Sequence, residues 1–384
     1  MLAFSKYRPY TALGAALIFI VSGMLPVERI LPSIDFNVLL MIAGTMGVVA
    51  LFVESKMPAL LADLVMEHVP NVQWAAVALA LFAGIISAFV DNVATVLMVA
   101  PVALESCRKL KTNPVPCLIA IAVSSNLQGA ATLVGDTTAI MLGSALDLSF
   151  ADIFWYQGKP GMFFAVELGA VLSAVILAFL FRREKAPIPK TGARTKVTNF
   201  VPTALLLGTI LLLIAASFLP KKPSITNGLI CCGMLLIGLI HNVAREKHVS
   251  AITAPLKAID FETIGLLLGL FLMIGGISEQ GVIDAAANFL ARAGDGNVFA
   301  LYSVIVWGSV LISAFIDNIP YVATMIPVIA SLAAQLAGQM GMDASIVATP
   351  LYFGLLSGAT LGGNCTPIGA SANITGIGIL RRDG

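Results

Sequence analysis

The chain has 384 residues, 58% of them hydrophobic and 11% charged, with a formal net charge of +1. A mean hydropathy of +0.96 excludes a soluble globule, because such a composition cannot cover a water-facing surface, and the chain is read as solvated by lipid. The near-neutral charge carries no nucleic-acid signature. Cys107, Cys117, Cys231, Cys232 and Cys365, with His68, His241 and His248, show no zinc or redox spacing, so neither a disulfide framework nor a structural metal is expected.

Lys6 and Arg8 precede a first apolar run at 11–25. With no small-residue cleavage site and many apolar runs after it, this is read as a retained span. Apolar segments follow at 35–53, 73–90, 93–106, 115–125, 137–146 and 162–181, then at 200–218, 225–241, 260–278, 297–316, 319–338, 345–357 and 367–380. Several fall short of the ~20 residues a spanning helix needs. The short ones pair around polar phrases, which predicts re-entrant hairpins over 73–107 and 297–338 and broken helices over 115–146 and 345–380. Short helical patterns at 58–68 and 281–293 read as interfacial. The stretch 182–198, with Arg182, Arg183, Lys185, Lys190, Arg194, Lys196, Pro187 and Pro189, is the one long polar linker and separates a first half, 1–181, from a second, 199–384.

The halves repeat one another. Ser87-Ala88-Phe89-Val90-Asp91-Asn92 returns 226 residues later as Ser313-Ala314-Phe315-Ile316-Asp317-Asn318, and Val96, Pro101 and Val102 return as Val322, Pro327 and Val328. Ile34-Asp35-Phe36 matches Ile259-Asp260-Phe261 at an offset of 225, carrying Gly44 onto Gly269 and Glu54 onto Glu279. Gly129-x-x-Thr132-x-x-Gly135 with Ile140 matches Gly363-x-x-Thr366-x-x-Gly369 with Ile374 at an offset of 234. Three blocks in one order define an internal repeat.

If each hairpin enters and leaves on one side and each broken helix crosses once, lysine and arginine divide 17 to 5. The richer side, which holds Arg8 and the linker, is then cytoplasmic, and the chain is a multi-pass protein of the cytoplasmic membrane. On this path 35–53 runs inward and 260–278 outward, so the repeats are inverted. Counting each hairpin as two full spans leaves the sides unchanged; helix length and the Asp-Asn turns favour re-entrance. Span 162–181 should have a partner near 396–415 and span 200–218 one before residue 1, so the chain reads as shortened at both ends, an asymmetric natural protein being the alternative.

An aspartate inside membrane-grade sequence is costly unless function holds it there. Asp91-Asn92 and Asp317-Asn318 stand at the hairpin turns, where they can also cap the following helix. The breaks, Ser124 to Thr138 and Ser357 to Asn373, are rich in glycine, hydroxyls and amides. Glycine permits unwinding, and Pro367 suits the start of a resumed helix. Freed carbonyls suit Na⁺, and a resumed half-helix offers its N-terminus to an anion. The candidate site is Asp91, Asn92, Asn126, Gly129, Thr132, Gly135, Asp136 and Thr137 with Asp317, Asn318, Gly363, Asn364, Thr366, Gly369, Ser371 and Asn373, with a bound Na⁺ near the Asp-Asn pairs and no other cofactor.

No lysine or arginine lies within 73–107, 115–158 or 297–380, whereas Asp91, Asp136 and Asp317 do. Buried carboxylates are protonated or pair with a cation, so Na⁺ or H⁺ is favoured, with any anion held by cations and helix ends. Asp136 matches Ala370, and both a proton-coupling role and an N-cap role are open to it. Cys365 reads as a small packing residue, with contact to a soft solute such as trivalent arsenic the alternative. Gly275-Gly276 reads as a close helix contact, and Trp74, Trp155, Tyr156 and Trp307 as interfacial anchors.

On Ser87–Pro101, Gly129–Ile140, Ser313–Pro327 and Leu361–Ile374 the chain resembles the ion transporter superfamily. The resemblance is to the branch that holds arsenite permeases, NhaD-type sodium/proton antiporters and the melanosomal P protein, with a citrate transporter-like domain. It implies an all-α elevator-type fold of scaffold and transport domain, commonly a homodimer, with tips and breaks forming the substrate and cation sites. Dicarboxylate members carry Ser-Asn-Thr at the tips; Asp91-Asn92-Val93 and Asp317-Asn318-Ile319 argue against dicarboxylate transport, and Thr137-Thr138 leaves the subfamily open. The expected function is not enzymatic. It is secondary transport of an anion or small oxyacid such as arsenite, coupled to Na⁺ or H⁺, with a sodium/proton antiporter as the rival. An intramembrane aspartyl protease is disfavoured by the lack of a Gly-x-Gly-Asp signature.

Overall fold

The computed structural model describes residues 7–110, 112–188, 194–197, 199–219, 222–246, 250–294 and 297–383. Lys6, Lys111, Pro189, Lys190, Lys221, Lys247 and His248 lie outside the described residues, and the polar linker is described only at its flanks. The first half runs α1 (Arg8–Val21), α2 (Val27–Ser33), α3 (Phe36–Glu54), α4 (Met57–His68), α5 (Val72–Ser87), α6 (Asn92–Leu110), α7 (Val115–Gly129), α8 (Thr137–Ala145) and α9 (Met162–Leu180). The second runs α10 (Val201–Ser217), α11 (Thr226–Glu246), α12 (Ser250–Lys257), α13 (Phe261–Glu279), α14 (Val282–Ala293), α15 (Val298–Ser313), α16 (Asn318–Met340), α17 (Ala344–Gly363) and α18 (Ser371–Asp383). Among the described residues six helices are long and apolar enough to cross a membrane: α3, α9, α11, α13, α16 and α17. The protein is a polytopic, nearly all-helical membrane protein.

Repeated sequence yields repeated elements. α3 and α13 have 19 residues each, α4 and α14 have 12, and α5 and α15 have 16. Asp35 and Asp260 cap α3 and α13 alike, accepting from Val38 N and Thr263 N at 3.0 Å. α4 and α14, the two expected interfacial helices, both open on a left-handed residue, Lys56 at φ 62° and Gly281 at φ 73°. A lysine rarely adopts this backbone, and here it stands where the second half uses glycine.

One helix of each half packs on the other half: α1 runs along α13, and α11 along α3. Small residues let the backbones meet. A Cβ on Gly269 would sit 2.7 Å from the Ala12 carbonyl carbon, and one on Gly44 would sit 2.5 Å from that of Cys231. The other elements gather on the breaks. α5 packs on α7 and α15 on α17; α8 lies against α3 and α16, and α18 against α6 and α7.

At ~1.5 Å rise per residue, α5 and α15 reach about 24 Å, less than the ~30 Å hydrocarbon core. Their partners are longer than expected. α16 has 23 residues and by length could cross, because Pro327 sits inside the helix without ending it. α18 begins at Ser371, not at Pro367, since the intervening residues are pinned to the neighbouring hairpin tip. Trp307 lies in the middle of α15 and is not at a span end. A feature with no counterpart in the sequence reading is a two-residue β-ribbon, β1 (Trp155–Tyr156) with β2 (Lys159–Pro160), whose turn residues Gln157 and Gly158 have φ of 48° and 78°. Two successive positive φ angles match the twist of a tight hairpin.

Candidate ion and substrate site

Four residues join α5 to α6 and α15 to α16 at the expected hairpin tips, and each following helix starts after an aspartate. Asp91 Oδ1 accepts from Val93 N at 3.0 Å and Ala94 N at 3.1 Å; Asp317 Oδ1 accepts from Ile319 N at 3.1 Å. Both aspartates therefore cap the following helix, and each keeps its second oxygen for another partner.

The breaks clasp these tips in the same way. Thr132 Oγ1 donates to Ala88 O, and its repeat mate Thr366 donates to Ala314 O. Gly135 presses on the tip so closely that a Cβ would lie 2.6 Å from Ser87 O and 2.8 Å from Ala88 O. At Gly369 the same construction gives 3.0 Å to Ser313 O and 3.1 Å to Ala314 O. A side chain has no room at either position, which is why both breaks carry glycine there. Ser125 donates to Ser87 Oγ at 2.9 Å and approaches Asn92 O at 3.1 Å. In the second half Ser313 Oγ donates to Ala359 O at 2.8 Å. The Asn318 amide satisfies its surroundings with its nitrogen facing Ser313 Oγ, Ala359 O and Gly369 O.

One amide joins the halves. Asn126 Oδ1 accepts from Asn92 Nδ2 at 3.1 Å, while Asn126 Nδ2 donates to Asn364 Oδ1 and Asn373 Oδ1, both at 2.9 Å. Asn373 Nδ2 then donates to Gly363 O at 2.8 Å and Thr366 O at 2.9 Å, satisfying carbonyls that the second break releases.

A cavity of about 610 Å³ opens on this assembly. Of the expected residues, Asp91, Asn92, Asp136, Thr137, Asp317, Asn318 and Ser371 line it. Asn126, Gly129, Thr132, Gly135, Gly363, Asn364, Thr366, Gly369 and Asn373 do not line it; of these, Thr132, Gly135, Thr366 and Gly369 press on the tip backbones. The far wall is the C-terminal half of α3, with α12 and the start of α13. Asp136 stands at the head of α8, and its Oδ2 accepts from the Thr138 hydroxyl at 2.6 Å. Cys365 is exposed just past the end of α17, and its thiol donates to Leu361 O in that helix at 3.6 Å.

Three features escape a reading of the sequence. Glu54 and Asp260 line the cavity, giving it five carboxylates with Asp91, Asp136 and Asp317. The repeat marks both positions, yet nothing in spacing says that they face the tips. The third is Arg8, expected among the loop cations of the richer side. Its Nη1 reaches Asp317 Oδ2 at 2.8 Å, with the two side chains 24% and 16% exposed. A cation does reach the hairpin tip, and it comes from α1. Among the described residues, Thr95 Oγ1, Gln128 Oε1 and Thr360 Oγ1 are buried oxygens without a hydrogen-bond partner. Such atoms are rare in folded proteins and mark places where an ion or water is taken up.

Paired helices, tips braced by unwound segments and a carboxylate-lined cavity between them define a membrane transporter of the secondary-carrier class. The comparisons agree. The chain belongs to the citrate transporter family CitMHS, whose model matches residues 1–358. The matched stretch ends at the start of the second break. The chain is 32% identical over 370 residues to an uncharacterized transporter of Mycobacterium bovis, covering 92% of this chain and 80% of that protein. It is 33% identical over 302 residues to a 46 kDa membrane protein of Mycobacterium leprae, covering 78% and 67%. To the P protein of Homo sapiens it is 28% identical over 425 residues, covering 91% of this chain and 50% of that protein. These relatives place the chain in the ion transporter superfamily that its motifs resemble.

Proposed function

We propose that the chain moves a small oxyacid such as arsenite, or another small anion, across the cytoplasmic membrane in exchange or in company with Na⁺ or H⁺. The observation that carries this reading is the convergence of both hairpin tips and both breaks on one carboxylate-lined cavity. Like charges repel, so a polyanion could enter only after cations had neutralised the wall, which makes cation binding the natural first step. A neutral hydroxylated acid meets no such barrier and can hydrogen-bond to Asn92, Asn318, Thr137 and Ser371. In this reading the hairpins and broken helices travel together against a scaffold of α1, α3, α10, α11 and α13, as inverted repeats would allow. The cavity reaches toward α12 and the start of α13, on the side richer in lysine and arginine, and the conformation is inward-facing.

The preponderance of carboxylates favours one second reading, a sodium/proton antiporter without an organic or oxyacid cargo. Proteoliposomes holding a pH gradient and a pH-sensitive dye separate the two. Collapse of the gradient on adding Na⁺ alone supports the antiporter, whereas collapse that requires arsenite or a carboxylate supports the permease. No response to any of them would sink both.

A further inference from the structure

The acidic cavity is not symmetric in charge. Asp317 is answered by Arg8 at 2.8 Å, a partly buried pair that bridges α1 and the tip of the second hairpin. At the repeat offset of 225 the position matching Arg8 is Gly233, which has no side chain to play that part for the first hairpin. Among the described residues Asp91 and Asp136 form no ion pair. Asp91 and Asp136 also line one small gap together, beside Thr137 and Gly135, with no lysine, arginine or histidine on its wall.

We propose that Arg8 is a built-in counter-ion for Asp317, which leaves the coupling cation to the Asp91–Asp136 side of the cavity. The inference rests on the reading of the cavity as a cation site and makes that site one-sided. A guanidinium is effectively always charged and cannot leave with the cargo, so the carboxylate that it occupies is withdrawn from ion exchange. The two half-sites, alike in backbone, thereby acquire different duties. The first binds and releases a cation, and the second holds its tip against α1 in the inward-facing state.

Carbodiimide labelling tests this whichever ion is coupled. Dicyclohexylcarbodiimide adds to a protonated carboxyl to give a stable acylurea, with no group leaving, and a carboxylate locked in an ion pair has no proton to offer it. Purified full-length protein in lipid nanodiscs is labelled and its modified residues are read by peptide mass spectrometry. The expected result is labelling at Asp91 or Asp136 in the wild type, with Asp317 at least tenfold less reactive. Asp317 should become reactive in Arg8→Gln and stay protected in Arg8→Lys, which keeps the charge. Asp317 labelled equally in wild type and Arg8→Gln, or unreactive in both, would overturn the inference while leaving the cation site standing. Absence of label from both Asp91 and Asp136 would overturn the site itself.

Discussion

Thr132 and Thr366 show how much of this site depends on single hydroxyls. Each satisfies a carbonyl at a point where the hairpin has left its helix, Ala88 O in one half and Ala314 O in the other. Replacing either threonine by valine keeps the shape but strands a buried carbonyl, a loss of ~1–3 kcal/mol. Thr132→Val is therefore expected to melt several degrees below the wild type in detergent and Thr132→Ser close to it, as scanning fluorimetry would show. Away from the membrane interior, Asp343 caps α17 by accepting from Ser345 N at 2.8 Å, and this contact holds its carboxyl below the usual carboxylate range. The folded value lies below the unfolded one, so the cap contributes fully above the unfolded value and is lost as pH falls through the folded value. Melting curves from pH 7 to pH 3 should show a steeper acid loss for the wild type than for Asp343→Asn, whose amide oxygen accepts without titrating. At this scale the sequence is legible where chemistry is costly. An aspartate in lipid-facing composition announces itself, whereas Arg8 looks like any terminal loop cation, because nothing in its neighbourhood says that α1 begins beside a hairpin tip.

At the scale of elements, the repeat carries most of the information. Equal lengths in α3 and α13, α4 and α14, and α5 and α15 follow from offsets of 225 and 226. The pairing of α1 with α13 and of α11 with α3 does not follow, because glycine marks a close contact without naming the partner. That contact is testable. Gly44→Leu and Gly269→Leu should each cost more than the ~1–3 kcal/mol of ordinary overpacking, since the clash is with backbone. Gly378→Ala, with nothing within 4 Å of its added carbon, should be neutral or gain up to ~1 kcal/mol from helix propensity. Detergent melts of the three variants decide this. The start of α18 departs from expectation for a related reason: Pro367 fits a helix start locally, but the tip contacts of Thr366 and Gly369 delay the helix until Ser371.

For the whole molecule the informative feature is a difference between the halves. α8 rests on α3, where the Ser144 hydroxyl donates to Asp35 Oδ2 at 2.5 Å. At the opposite end the cavity stands between α13 and the head of α18. One end of α3 is thus joined to α8 and the other borders the open cavity. Ser144→Ala should loosen the joined end. Cysteines placed at Asn37 and Asn227, which border the small gap of about 40 Å³ there, should then react with a membrane-impermeant maleimide at least twice as fast as in the unmutated background. Unchanged rates would mean that the hydroxyl is not what holds that end together. None of this is legible in the sequence, because both halves are written in nearly the same residues and only three-dimensional packing tells their ends apart.

The Asn126 clasp has a kinetic corollary. Its single amide grips Asn92 on one side and Asn364 and Asn373 on the other, so the first tip cannot advance while the second break lags. If the proposed ion coupling holds, slippage of the ion without its cargo would demand tearing that clasp, and the carrier should be tightly geared.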